Sequence, residues 1–132
     1  MGGKPKILLV DDEPSLVKIV SKRLEAEGFD VRVAMDGEEA LRQVAVEHPE
    51  LIILDVMLPK LSGYEVCRQL KWDARYQRIP VLLFTAKVQE RDEKVGFEAG
   101  ADAYVRKPFR ASELIEKIRF LLKPDPSAEA GV

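Results

Sequence analysis

The apolar run Leu51-Ile52-Ile53-Leu54 closes on a carboxylate, Asp55. Four consecutive apolar residues read as a strand buried on both faces, the kind found where helices cover both sides of a parallel sheet. A charge can then stand only at the strand's carboxyl end, facing a crevice. A second run, Ile7-Leu8-Leu9-Val10, closes on Asp11 and Asp12. Two buried strands thus deliver three acids to one sheet edge. A divalent cation and a phosphoryl group call for that arrangement.

The rest of the chain alternates strand with helix. Strands are expected over residues 6–10, 30–34, 51–55, 80–84 and 103–106. A first helix begins at Pro14, which suits a first helical turn, and carries Leu16, Val17, Ile19, Val20 and Leu24 at helical spacing as far as Gly28. Asp36 is the expected N-cap of a second helix over 37–47, closed by Pro49. A third helix follows the Pro59–Gly63 loop and runs to about Trp72. A fourth is expected from about Asp92 to Ala99, with Gly100 just past its end. After Pro108 comes a last amphipathic helix, 111–122, with Leu114, Ile115, Ile118, Leu121 and Leu122 facing inward. Five strands alternating with five helices predict an α/β fold. Its form is a doubly wound, flavodoxin-like parallel sheet of order 2-1-3-4-5. In that order the first and third strands are neighbours at the switch point, so Asp11, Asp12 and Asp55 converge. Thr85 and Lys107, at the ends of the fourth and fifth strands, reach the same edge.

Composition narrows the class. The chain has 132 residues, enough for one domain and too few for two. Its 21 basic and 23 acidic residues leave a net charge of −2, without the basic footprint of a nucleic-acid binder. No apolar stretch reaches the roughly 20 residues of a membrane span, and residues 1–5 lack the core of a signal peptide. The single cysteine, Cys67, cannot form an internal disulfide; it fits a cytoplasmic location and is read as a packing residue. One histidine, His48, beside Pro49, makes no metal site. Residues 1–123 are expected to form the domain, and 124–132, of linker composition, a flexible tail or a linker stub.

Four segments carry a resemblance. Leu9-Val10-Asp11-Asp12-Glu13, Leu54-Asp55-Val56-Met57-Leu58-Pro59, Thr85-Ala86-Lys87 and Lys107-Pro108-Phe109 resemble, in order and at strand ends, the four blocks of the response regulator receiver domain of two-component signalling. Gly100-Ala101-Asp102-Ala103-Tyr104 is similar to that family's turn into its last strand. The likeness spans residue 6 to about 122. It implies that Asp55 is the phosphoacceptor, taking a phosphoryl group from a sensor histidine kinase or a phosphotransfer protein. It also implies Mg2+ held by Asp12, Asp55 and the backbone carbonyl of Met57, with Asp11 acting partly through water. Thr85 and Lys107 would then contact phosphoryl oxygens, and a cis peptide before Pro108 would aim the lysine. Thr85 and Tyr104 would form the switch, displayed on the face made by the fourth helix, the fifth strand and the last helix to an output domain or effector. Such a domain catalyses only its own phosphorylation and dephosphorylation. It works as a monomer or as a phosphorylation-dependent dimer, with no direct contact to nucleic acid or membrane.

The acids also support this reading without the resemblance. Two unit charges about 4 Å apart repel by about 4 kcal/mol at an effective dielectric near 20. A cluster of three therefore needs a cation or a proton. Asp11 and Asp12 as mere helix caps would leave Asp55 unexplained. Two rivals remain, a receiver-like module that signals by contact alone and a phosphatase with an aspartyl nucleophile. The second needs another acid two residues past the nucleophile, and Met57 stands there. The charges that pair two receivers in many DNA-binding relatives are incomplete: Ala103 replaces an acid and Glu93 stands where a base is frequent, while Asp102, Lys117 and Arg119 remain. Met57 and Lys87 are the residues expected to tune the lifetime of the modified state.

Overall fold

The structure is a computed structural model that describes residues 3–85, with the backbone alone at Thr85, and 99–123. Five parallel strands form one sheet in the order β2-β1-β3-β4-β5: β1 Lys6–Val10, β2 Asp30–Ala34, β3 Leu51–Asp55, β4 Val81–Thr85 and β5 Ala103–Arg106. Helices α1 (Pro14–Ala26), α2 (Gly37–Glu47) and α3 (Gly63–Lys71) follow the first three strands, and a C-terminal helix (Ala111–Leu121) follows β5. The expected helix over 92–99, Lys87, Glu93 and the tail 124–132 lie outside the described residues, apart from Ala99 itself.

Alternation along the buried strands builds two cores. Leu8, Val10, Ile52, Leu54, Val81 and Leu83 face α2 and α3. Ile7, Leu9, Leu51, Ile53, Leu82 and Phe84 face α1 and the C-terminal helix. Every residue of β3 is buried, as its continuous apolar run requires. Each fully buried Leu or Ile contributes roughly 1.5–3 kcal/mol. Ile19 departs from expectation: it is 69 % exposed. At 100° per residue Val20 and Leu24 hold the centre of the buried stripe, and Ile19 falls on its flank.

Local signals account for the helix ends. Asp36 caps α2 by accepting from Glu39 N at 2.8 Å, and that amide holds its carboxyl below the usual range. Ser62 caps α3 through Glu65 N at 3.2 Å. Helix α1 stops at Ala26, two residues before Gly28. Gly28 N donates to Glu25 O and Phe29 N to Leu24 O, a Schellman motif with Gly28 at φ 97°. His48 is exposed and takes a left-handed φ of 50° where α2 ends. Strand β4 begins one residue later than expected, because Pro80 has no N–H to give a sheet and contributes only its carbonyl, to Ile52 N. Cys67 is fully buried, and burial pushes its thiol up to about 11, so it is a packing residue.

One polar cluster ties the edge opposite the acids. Lys71, at the end of α3, donates to Gln77 O (3.1 Å) and Ile79 O (2.8 Å) and pairs with Asp102 Oδ2 (2.8 Å). The same Asp102 oxygen accepts from Val81 N, and Asp102 N donates back to Val81 O. The strands β4 and β5 are thereby clamped where they begin. Lys71→Ala takes the ammonium from two carbonyls and from Asp102, which keeps only the Val81 amide, and should cost about 1–3 kcal/mol in urea unfolding. A midpoint equal to the parent's would show the clamp to be idle.

Candidate functional site

Register decides which acids meet. Strand β1 pairs with β3 so that Val10 stands beside Leu54, and the next residues, Asp11 and Asp55, leave the sheet side by side. Each is anchored by the backbone two residues on: Asp11 Oδ1 accepts from Glu13 N at 2.8 Å, and Asp55 Oδ1 accepts from Met57 N at 3.1 Å. Glu13 is the N-cap position of α1 but makes no side-chain capping bond, so the acids are not spent on the helix. Asp11 is fully buried and Asp55 is 5 % exposed, while Asp12 faces solvent. Carboxylate oxygens of Asp11, Asp12 and Asp55 lie within 4.8 Å of one another.

Lys107 closes the site from β5. Its Nζ stands 3.0 Å from Asp11 Oδ2 and 3.3 Å from Asp55 Oδ2. The Lys107–Pro108 peptide is cis, as the resemblance implied. The ammonium also lies 4.6 Å from the centre of the Phe84 ring, a cation–π contact, and Phe109 packs edge-on against Phe84 at 5.9 Å. Burial pushes the Asp55 carboxyl upward and the Asp11 charge adds to that rise; the Met57 amide and Lys107 oppose it without cancelling it. Burial pulls the Lys107 ammonium downward, but its bond to Asp11 and the charge of Asp55 outweigh burial, and the net shift is upward. The lysine is a resident cation between two acids that would otherwise repel.

The donor set suits a hard divalent cation. All the donors are carboxylate oxygens, three of them within reach of one point, and Asp12 is open to water. Asp11 and Asp55 each keep one oxygen on a backbone amide and turn the other to Lys107.

Thr85 ends β4, paired with Arg106 rather than following the strand; its side chain lies outside the described residues. Tyr104 stands beside Leu83, is 9 % exposed, and joins the core facing α2 and α3. Met57 is exposed in the loop above Asp55.

Three residues escaped the sequence reading. Phe84 and Phe109 wall in Lys107, and Gly63 supports Asp55. A Cβ at Gly63 would collide with the Asp55 carbonyl oxygen, because Gly63 N bonds Val56 O at 3.0 Å and draws the start of α3 onto that peptide. Gly63 was visible in sequence, but only as the end of the loop that leads into the third helix.

The comparisons with known proteins fall where this geometry points. The response regulator receiver domain matches residues 7–119, and the chain belongs to that family. Receiver domains are signalling domains of two-component response regulators. Among curated relatives, the alkaline phosphatase synthesis transcriptional regulatory protein PhoP of Bacillus subtilis is 49 % identical over 120 residues, 89 % of this chain and 48 % of that protein. The DNA-binding dual master transcriptional regulator RpaA of Synechocystis is 44 % identical over 119 residues, 90 % of this chain and 49 % of that protein. The chain thus spans about half the length of these relatives. Chemotaxis response regulator CheY4 of Vibrio cholerae has a TM-score of 0.85 at 30 % identity, covering 91 % of this chain and 100 % of that one. The receiver domain of sensor histidine kinase PA1611 from Pseudomonas aeruginosa was solved with magnesium in its active-site cleft. It has a TM-score of 0.84 at 28 % identity, covering 91 % of this chain and 98 % of that one. No described helix is long and apolar enough to cross a membrane.

Gly63→Ala must displace the Asp55 peptide or the start of α3, neither of which is a flexible side-chain tip. It should cost more than about 2 kcal/mol in urea unfolding, against roughly 0.5 kcal/mol for an ordinary surface change. A cost at the surface level would mean that the contact relaxes freely.

Proposed function

We propose that this receiver accepts a phosphoryl group on Asp55 from a phosphohistidine of a sensor histidine kinase or phosphotransfer protein. The observation that carries the reading is the bridge from Lys107 Nζ to the buried carboxylates of Asp11 and Asp55. An Asp55 carboxylate oxygen attacks phosphorus; the O–P bond forms, the P–N bond breaks, and its electron pair leaves with the donor imidazole. Phosphoryl transfer asks a protein mainly for alignment and for positive charge near the equatorial oxygens. Lys107 supplies one charge and Thr85 a hydroxyl. Water later attacks phosphorus, releasing inorganic phosphate and restoring the carboxylate. The Met57 amide keeps Asp55 aimed throughout.

Asp11, Asp12, Asp55 and the Met57 carbonyl would hold Mg2+. When bound, that ion supplies Lewis-acid charge stabilisation at the phosphoryl oxygens. Lys107 draws on the same carboxylates, and the oxygens it now occupies become available as it turns to a phosphoryl group. A phosphoryl group brings about two negative charges. Drawing Thr85 toward it frees space for Tyr104, and the change reaches the face made by β5, the C-terminal helix and the segment before Gly100. An output domain or effector reads the state there. The work is regulatory and intracellular: the chain turns over no external substrate.

With Mg2+ and a small phosphodonor, intact-mass spectrometry should show one added phosphoryl group on the parent and none on Asp55→Asn. Equal labelling of the variant would remove Asp55 as acceptor. Magnesium at about one hundred times its Kd should stabilise the parent by about 2.7 kcal/mol. The same addition to Asp12→Ala should shift the melting midpoint far less, and an undiminished shift there would place the ion elsewhere.

A further inference from the structure

Helices α2 and α3 both begin on a glycine, and the loop that follows Asp55 is pressed against each of them. Gly63 meets the Asp55 carbonyl. At the start of α2, a Cβ on Gly37 would collide with Leu61 O and Leu61 Cβ. Gly37 N donates to Pro59 O at 3.4 Å, and Leu61 N donates to the same oxygen at 2.8 Å. Between them Lys60 takes a left-handed φ of 68°, and its Nζ stands 3.6 Å from Asp36 Oδ2. The turn Pro59–Leu61 is therefore seated on the first turn of α2, backbone against backbone.

This seat is stiff, and it is tied to the other acid. Asp36 Oδ1 accepts from Glu39 N at 2.8 Å and Glu39 Oε2 accepts from Met35 N at 3.3 Å, a reciprocal cap. Just before them, Ala34 O accepts from Asp11 N at 3.2 Å. One short connector thus touches the peptide of Asp11 and the turn after Asp55. Met57 lies between Asp55 and that turn with its side chain turned to solvent. Its peptide is fixed from the two flanks, by Asp55 Oδ1 on its amide and by the seated turn, whose Leu58 and Leu61 pack on the core facing α2 and α3.

We propose that Gly37 is a positioning residue for the Met57 carbonyl. The close seat at the start of α2 sets the height of the loop, and with it the affinity of the acid cluster for a divalent cation. The proposal rests on the reading of that cluster as the Mg2+ site and names a residue outside it that tunes it. Partners behind a metal ligand act on affinity through the ligand they hold. A displacement at Leu61 reaches Met57 through Pro59, whose ring fixes φ, so the turn moves as a unit.

Gly37→Ala must push the turn away from α2. In the metal-free protein the Met57 amide resonance should move, because its bond to Asp55 Oδ1 is disturbed. Titration with Mg2+, followed by amide shifts, should give a Kd weaker by roughly tenfold. Lys60→Val acts on the same turn without a collision, since a β-branched residue resists φ 68°. It should move the same resonance and weaken Mg2+ roughly threefold or more, and it decides the matter where Gly37→Ala does not fold. Lys71→Ala loosens the opposite edge and is the control: the Met57 resonance should stay and the Kd change less than about twofold. Parent values for both readouts, with only the unfolding midpoint lowered, would mean that Gly37 serves packing alone and overturn the proposal. So would a moved resonance with an unchanged Kd, or a Kd weakened as much by Lys71→Ala. Asp55 labelling is measured on the same samples. A parent that binds Mg2+ with the expected variant effects but takes up no phosphoryl group removes the phosphoacceptor reading and leaves the seat. A labelled parent whose variants keep both readouts removes the seat alone.

Discussion

Lys107 Nζ, set between Asp11 Oδ2 and Asp55 Oδ2, is the interaction on which the rest of the site depends. Two carboxylates this deeply buried cost free energy both by desolvation and by mutual repulsion. The lysine offsets both, and it comes from β5, with the whole width of β4 between it and Asp55. Phe84 fills that width: its ring lies 4.6 Å from the ammonium, and Phe109 packs edge-on against that ring. Strand order, aromatic spacer and ion pair therefore form one unit. A different order of the same strands would leave the acids without their cation.

Backbone geometry prepares the carboxylates for chemistry. In both loops an amide two residues past the acid holds Oδ1, leaving Oδ2 directed into the crevice. The repeated turn makes the two acids equivalent in form and unequal in setting. Asp11 is fully closed from solvent, while Asp55 keeps a slight opening at the start of the loop that carries the exposed Met57. The loop after Asp55 is pinned in turn by Gly63, whose missing side chain lets α3 begin directly on the Asp55–Val56 peptide. The far edge of the sheet has its own fastening in Lys71 and Asp102, which leaves the acid edge free of structural duty.

Much of this was legible in the residue pattern. The continuous apolar runs of β1 and β3 admitted only a doubly covered parallel sheet, and the strand order, caps and convergent acids followed from topology rules. Sheet and order agree with the structure, as do the cap at Asp36, the packing role of Cys67 and the cis peptide at Pro108. Side-chain matters were less legible. Ile19 shared the helical spacing of core residues and yet lies on the flank, because periodicity locates a stripe and not its edges. Asp102 and Arg119 looked like charges kept for a second subunit. Their bonds to Lys71 and Glu27 join residues far apart in the chain, which no local pattern encodes.

The sequence by itself determined the fold class, the sheet edge on which the acids gather and the identity of those acids. Hydrophobic runs and their end residues are local properties, and topology rules convert them into neighbours. Only the tertiary structure decided how the charges are shared: that Lys107 serves Asp11 as well as Asp55, that aromatic rings wall it in, and that Asp102 and Arg119 are spent internally. The physical reason is range. Pairing at about 3 Å depends on side-chain reach and on the register of four adjacent strands, and those are set when the sheet packs.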